Sequence, residues 1–200
     1  FITTESTAPY APRLKVILDR LSIEELQAGI DALSCFSNGN INMAIPADGE
    51  YLALNGLYGV QKHTFSGPHP SGNVGYHISN IDPIENKSTV VWYVSLQDTA
   101  AIGHLFLTGK IYNKKIISIG GCPLDNENRH LEVNRDIIFT DIFSTNIIGL
   151  DYRLISGDIL SGKSVEMDHS IGFYDDTVSI VKNKFKRKFI GWLSPGFTKY

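Results

Sequence analysis

Two short apolar runs flanking one capped amphipathic segment constrain the start of this chain more than any other feature. Phe1-Ile2-Thr3-Thr4 and Ile41 to Ile45 both read as strands. Between them, Ser22-Ile23-Glu24-Glu25 is a capping box, with Ser22 as N-cap and Glu25 at N3. Ile23, Leu26, Ile30 and Leu33 then recur at steps of three, four and three, so one face of a helix packs on a core. That helix should stop before Asn38-Gly39. Strand–helix–strand predicts a parallel α/β unit. Thr89 to Val94 reads as a further strand. Ser95-x-x-Asp98 caps a second helix that ends at Gly109.

After about Lys110 the character changes. Short β-rich runs follow at Lys115–Ile119, Ile137–Thr140, Tyr152–Ile155, Ile171–Tyr174, Thr177–Val181 and Phe189–Trp192. Asp175-Asp176 reads as a tight hairpin between two of them. The shift predicts a boundary near residues 110–114, between an α/β part and a mostly β part.

Between the two capped helices lies Gly67-Pro68-His69-Pro70-Ser71-Gly72-Asn73-Val74-Gly75-Tyr76-His77. Glycine opens left-handed conformations while proline fixes φ and deletes an N–H, so this stretch should be a shaped, ordered and exposed loop. Gly67 and Gly72 have the GxxxxG spacing of a phosphate loop. Asn73 and Val74, however, stand where Lys and Ser/Thr would reach phosphate and Mg²⁺. Pro68 and Pro70 remove two donors that would cradle an anion, and no hydrophobic strand runs directly into the loop. Ser71 lies in Pro-Ser-Gly rather than GxSxG, which argues against a serine nucleophile.

A chain of 200 residues suits one large domain or two small ones, burying about 70% of its unfolded surface without a metal or disulfide staple. It starts at Phe1 with no signal pattern, which suggests a piece of a longer protein. No run approaches the roughly 18 apolar residues of a membrane helix, so the expectation is a soluble fragment. A formal charge of −3 argues against an overall nucleic-acid binder. Cys35 and Cys122 lie in unlike contexts without a CxxC and read as reduced thiols.

His63, His69 and His77 are too widely spaced, with no cysteine nearby, for a zinc site. His69, between two prolines, fits a loop-fixing hydrogen bond or a contact to a partner or ligand. His104 reads as a helix residue packed on the core. His130 and His169 sit in polar loop contexts. Asp98 is a helix-start residue and Asp82, before Pro83, a turn residue. No catalytic constellation emerges. Lys182, Lys184, Lys186, Arg187 and Lys188 form one basic cluster, interleaved with Phe185 and Phe189. It reads as a solvated hairpin or as a contact to an anionic surface, lipid or protein.

Four stretches together resemble the A-subunit family of the Na⁺-translocating NADH:quinone oxidoreductases. They are the GPHPSG loop with Gly75-Tyr76-His77-Ile78, the segment Ser95-Leu96-Gln97-Asp98 continued by Ala101 to Gly109, Arg153 to Gly162, and Gly191-Trp192-Leu193-Ser194-Pro195-Gly196-Phe197. They fall in family order across most of the chain. Ser79 stands where the pattern leads one to expect a second histidine, which puts a paired-histidine role in doubt.

The resemblance implies the latter part of a nucleotide-fold-like parallel α/β domain over residues 1–112. A ubiquitin-like β-grasp (SLBB) domain would follow over 114–160, and a closing β module over 161–200, with the family's N-terminal region and C-terminal end missing. It also implies a peripheral subunit on the cytoplasmic face of the bacterial inner membrane, part of a six-subunit complex that oxidises NADH, reduces ubiquinone and pumps Na⁺. Its role there would be quinone-side binding and assembly, and the isolated fragment would be inactive. Flavins and iron–sulfur would belong to partner subunits, leaving no cofactor in this chain, with ubiquinone as its ligand. The contact loop would be carried by Gly67, His69, Ser71, Gly72 and His77. The rival readings are a soluble flavoprotein with a modified nucleotide-binding fold and a pure interaction module.

Overall fold

Strand β1 (Ile2–Thr3) lies at the centre of the N-terminal half, because its two neighbours both pair with it in parallel. The computed structural model describes residues 1–37, 40–122, 129–143 and 152–183. In chain order the first half continues with α1 (Leu14–Leu18), α2 (Ile23–Phe36), β2 (Asn42–Pro46), α3 (Leu52–Asn55), β3 (Gln61–Phe65), α4 (Val74–Ile81), β4 (Val94–Ser95) and α5 (Leu96–Thr108). The strands form one parallel sheet in the order β3-β2-β1-β4. Its core gathers Ile2, Leu14, Leu26, Ile30, Met43, Leu54 and Leu96, all at most 1% exposed. The period-3.6 face read from Leu26 and Ile30 therefore points inward, as its spacing requires.

Both helix starts follow their sequence signals. The Ser22 hydroxyl accepts from the Glu25 N–H at 3.4 Å, and the Ser95 hydroxyl from the Asp98 N–H at 3.0 Å. The Glu25 carboxylate is turned to His104 Nδ1, which donates to it at 2.7 Å, so it ties α2 to α5. Gly109 closes α5 in the left-handed conformation. Ser95→Ala is expected to cost about 1 kcal/mol, the usual loss for an N-cap hydroxyl. Urea denaturation measures it; an unchanged midpoint would show that Asp98 carries the cap alone.

The strand read at Thr89–Val94 is a correction. Only Val94 and Ser95 pair, opposite Ile2 and Thr3, because β1 offers just two residues of ladder. The Phe1 ammonium donates to the Trp92 carbonyl at 2.7 Å, and Val90, Trp92 and Tyr93 remain exposed.

The second half comprises β5 (Lys114–Gly121), β6 (Arg129–Asn134), α6 (Phe139–Ile142), β7 (Tyr152–Ser156), β8 (Lys163–Val165) and β9 (Thr177–Lys182). Its strands form a separate mixed sheet, in the order β6-β5-β9-β7-β8. Pairing is antiparallel except between β5 and β9. Ile117, Phe139, Val178 and Ile180 make its fully buried core.

Three readings change here. Ile171–Tyr174 is not a strand: Ile171 plugs the core, so Asp175-Asp176 leads into β9 instead of turning a hairpin. The Ser156 hydroxyl donates to Asp175 at 2.6 Å and accepts from the Gly172 N–H, fixing that approach. Ile137–Thr140 reduces to a single bridge from Ile138 to Ser170 before Phe139 opens α6. The break at residues 160/161 is crossed by the sheet, since β8 pairs with β7 and β9 pairs with both β5 and β7. Phe189–Trp192 lies outside the described residues.

Candidate ligand and partner site

The segment from Gly67 to His77 begins as a loop and ends as a helix. A polar strand, β3, runs straight into it, where the sequence showed no hydrophobic strand. Gln61-Lys62-His63-Thr64-Phe65 is a half-exposed edge strand, too polar to announce itself as a hydrophobic run. Two tight turns follow, with the Ser71 N–H donating to the Pro68 carbonyl at 3.0 Å and the Asn73 N–H to that of Pro70 at 2.8 Å. Asn73 then caps α4, whose N-terminal turns contain Val74 to His77.

The loop is shaped largely from within. The Ser71 hydroxyl donates to the Gly67 carbonyl at 2.7 Å, and Ser71 itself is buried. Residue 72 has to be glycine because a Cβ there would lie 2.5 Å from the Thr7 nitrogen. The Gly72 N–H donates to the Thr7 hydroxyl at 3.0 Å, and that hydroxyl lies 3.2 Å from His69 Nδ1. His69 is exposed at the rim. His77 departs from the expectation of an outward-facing contact, being only 3% exposed. Its Nε2 lies 2.8 Å from the Ser71 carbonyl and its ring packs 4.4 Å from that of Phe65. Burial pushes the His77 imidazolium down in pKa, so the ring is neutral near pH 7.

Two crevices open at the carboxyl ends of the parallel strands, where α/β sheets bind ligands. One, of about 120 Å³, is lined by residues following β1, β2 and β3, among them Glu5, Asp48, Gly67 and His77. The other lies beside β4, where the strand order reverses, and is the location a nucleotide takes in doubly wound folds. Here it measures about 70 Å³. The chain beyond β1 folds back over the strand ends before any helix starts. Thr7 is held by Gly72, and the Tyr10 carbonyl accepts from the Ser118 hydroxyl of β5. Such a space is far below the roughly 300 Å³ of a small-molecule pocket.

The other candidates scatter. His63 Nε2 meets Asn42 Oδ1 at 2.9 Å within the sheet. His130 belongs to β6 rather than to a loop, and its Nε2 accepts from the Arg13 N–H at 3.2 Å. His104 contacts the Tyr112 ring besides Glu25. Lys182 ends β9 at the surface, whereas Lys184, Lys186, Arg187 and Lys188 lie outside the described residues. So does Gly191 to Phe197. Among the described residues no His, Cys, Asp and Glu side chains group to hold a metal ion, and no helix is long and apolar enough to cross a membrane. Sequence reading missed Glu5, Thr7 and Asp48. The usable signal was their position just after β1 and β2, since strand ends of a parallel sheet carry its sites.

A family model described as the NqrA second alpha/beta domain matches residues 1–111. Among curated proteins, the A-subunit of the Na(+)-translocating NADH-quinone reductase from Rhodopirellula baltica is 32% identical over 203 residues, covering all of this chain and 43% of that protein. The A-subunits of the same name from Vibrio atlanticus and Vibrio campbellii are each 31% identical over 201 residues, again covering the whole chain and 44% of each relative. The chain thus spans less than half the length of these relatives.

Proposed function

This chain belongs to the family of the NqrA second alpha/beta domain, and from that membership we propose that it forms part of a peripheral subunit of a Na⁺-pumping NADH:ubiquinone reductase. It acts on the quinone-reduction side and in assembly, and carries no redox cofactor of its own. Its partners are the other subunits of the complex, which hold the flavins and iron–sulfur, and its place is the cytoplasmic face of the bacterial inner membrane.

One observation carries the cofactor-free reading. The crevice at the reversal of strand order is lined in part by Glu5, Ser6 and Pro12 of the stretch after β1, and it measures only about 70 Å³ where a flavin nucleotide would lie. The parallel sheet then serves as a scaffold that presents the Gly67–His77 element, with His69 at its rim, to quinone or a neighbouring subunit. Gly67, Ser71, Gly72 and His77 shape that element from behind. The basic run from Lys182 to Lys188 serves as the contact to an anionic surface.

For the second half, the order β6-β5-β9-β7-β8 with a central parallel pair supports a ubiquitin-like β-grasp. The α/β domain covers residues 1–112. The β-grasp begins at 114 and takes in β8 and β9, so it extends past residue 160.

The test uses the whole complex with His69→Ala. Loss of one such contact should lower quinone reduction about two- to tenfold while NADH oxidation by artificial acceptors, which draw electrons upstream, stays intact. Normal assembly with a wild-type quinone rate would reduce the loop to a structural element.

A further inference from the structure

The run Thr89-Val90-Val91-Trp92-Tyr93-Val94-Ser95 has the composition of a strand, yet only its last two residues pair, both with β1. β4 is the last strand of its sheet, so its far side is an edge. Ahead of Val94 the chain stays alongside β1. The Phe1 nitrogen donates to the Trp92 carbonyl at 2.7 Å, and the Val94 N–H donates to the Phe1 carbonyl at 2.9 Å. Backbone groups of successive residues in an extended chain point in opposite directions. Those of Trp92 and Val94 turn towards β1, so those of Val91 and Tyr93 turn off the edge of the sheet. Among the described residues neither Val91 nor Tyr93 has a backbone hydrogen-bond partner.

Sheet edges that end at solvent are usually blunted by charge. The other three edges follow that rule among the described residues: β3 carries Lys62, β6 carries Arg129 and Glu132, and β8 carries Lys163. Beside β4 there is no such protection, because no charged residue stands between Lys87 and Asp98. Val90 is 75% exposed and Trp92 83%. Side chains alternate faces, so Tyr93, 64% exposed, is bare on the opposite one. An uncharged, β-prone run without proline on an open edge is a template for another strand. Next to it lies an open groove of about 620 Å³, lined by Tyr93 and by Asn73, Val74, Tyr76 and Ser79 from α4 and its cap. The groove has room for side chains that an added strand would turn towards α4.

We propose that the sheet continues past β4, where an extended segment of the same subunit, from outside residues 1–200, lies along residues 91–95 and closes the edge. Its backbone bonds the outward N–H and C=O groups of Val91 and Tyr93. Its alternating apolar side chains cover Trp92 on one face and Tyr93 on the other. The edge itself sets the chemistry of the occupant. A helix would leave the row of backbone groups unmet, and a charged strand would find no counter-charge between Lys87 and Asp98. The source follows from length and tethering. The curated relatives hold more than half their length outside the stretch that this chain matches. A tethered segment also acts at about millimolar effective concentration, ahead of any separate chain. The strand character of residues 89–94, legible in the sequence and unused by β1, then has its partner. This inference goes beyond the proposed function and needs only the family membership, not the quinone-side role.

The test is hydrogen exchange of the full-length subunit by itself, resolved to single amides across residues 89–95. With the edge closed, the Val91 and Tyr93 amides should exchange at least about a hundredfold more slowly than in an unfolded chain, at every protein concentration. Unprotected exchange overturns the proposal, whether or not another subunit covers the edge in the assembled complex. Protection that grows with protein concentration overturns it as well, since a second copy is then the cover. Trp92→p-benzoylphenylalanine locates the occupant: on illumination residue 92 should cross-link to a peptide of the same subunit outside residues 1–200. A cross-link to a peptide within residues 1–200 refutes the assignment. Tyr93→Pro checks the bond itself, because proline is tolerated on a solvent-facing edge but deletes an N–H from a paired one. Protection at Val91 should fall at least about tenfold relative to Tyr93→Ala, which keeps that N–H. Equal protection in the two variants would mean that nothing pairs with Tyr93, and the added strand would be ruled out. Quinone reduction by His69→Ala reports on the proposed function alone, so the two readings fail separately.

Discussion

Gly103→Ala is expected to lower the thermal midpoint of the chain by about 4–8 °C. A Cβ at residue 103 would lie 1.7 Å from the Glu25 carbonyl oxygen and 2.6 Å from the Gly29 nitrogen. Across the same contact, a Cβ at residue 29 would lie 1.9 Å from the Thr99 carbonyl oxygen. The obstructing atoms are helix backbone, so no side chain can swing aside, and α2 and α5 would have to separate. Overpacking of this kind costs about 3 kcal/mol at the upper end of its usual range. It outweighs the gain of about 1 kcal/mol that alanine brings to a helix interior. For a chain of this size each kcal/mol shifts the midpoint by about 2–4 °C. The bond from His104 to Glu25 spans the same interface and should be lost too. Gly75→Ala is the control, because a Cβ there meets nothing within 4 Å and should leave the midpoint unchanged or slightly raised. Equal midpoints for Gly103→Ala and wild type would mean that α2 and α5 do not pack this closely.

The difference between these two glycines shows what the sequence could and could not reveal. Local chemistry was legible: Ser22, Ser95 and Gly109 each mark a helix end, and Leu26 with Ile30 marks the inward face. Those signals depend on residues close together in the chain. Nothing local distinguishes Gly103 from Gly75, since the difference lies in a helix some eighty residues away. The same limit explains the second sheet. β6, read as loop, is the polar run Arg129–Asn134, with only Val133 buried. Its strand character comes from pairing with β5 and not from a hydrophobic pattern. β9 enters the sheet between β5 and β7, so no composition shift marks where that sheet closes. At the candidate site the loop was visible because glycine and proline are strong local punctuation. The crevice was not, because Glu5 and Asp48 follow two different strands and His77 sits on a helix, α4.

Gln97→Leu should destabilise the chain by about 2–6 kcal/mol, although the two side chains are similar in size. Gln97 is 5% exposed, and its amide hydrogen-bonds one residue of β5 twice: its Nε2 donates to the Ile116 carbonyl at 3.0 Å, and its Oε1 accepts from the Ile116 N–H at 2.8 Å. The reason lies in the ladder. β9 pairs with β5 only from Ser118 onward, so Ile116 extends beyond the end of its partner strand. The Gln97 amide completes the ladder there and joins α5 of the first sheet to the second. Around it, Arg135 of the second half meets Asp98 at 2.7 Å and lies over the Phe173 ring, and Lys115 donates to the Phe173 carbonyl at 3.1 Å. Leucine fills the space but leaves a buried N–H and a buried carbonyl unpaired, at about 1–3 kcal/mol each. Urea denaturation gives the total, and native-state hydrogen exchange at the Ile116 amide localises it. Faster exchange at Ile116 with a lowered midpoint is the expected pair of results. Protection retained at Ile116, with stability within about 0.5 kcal/mol of wild type, would show that another group completes the ladder and that Gln97 is not what holds the two sheets together.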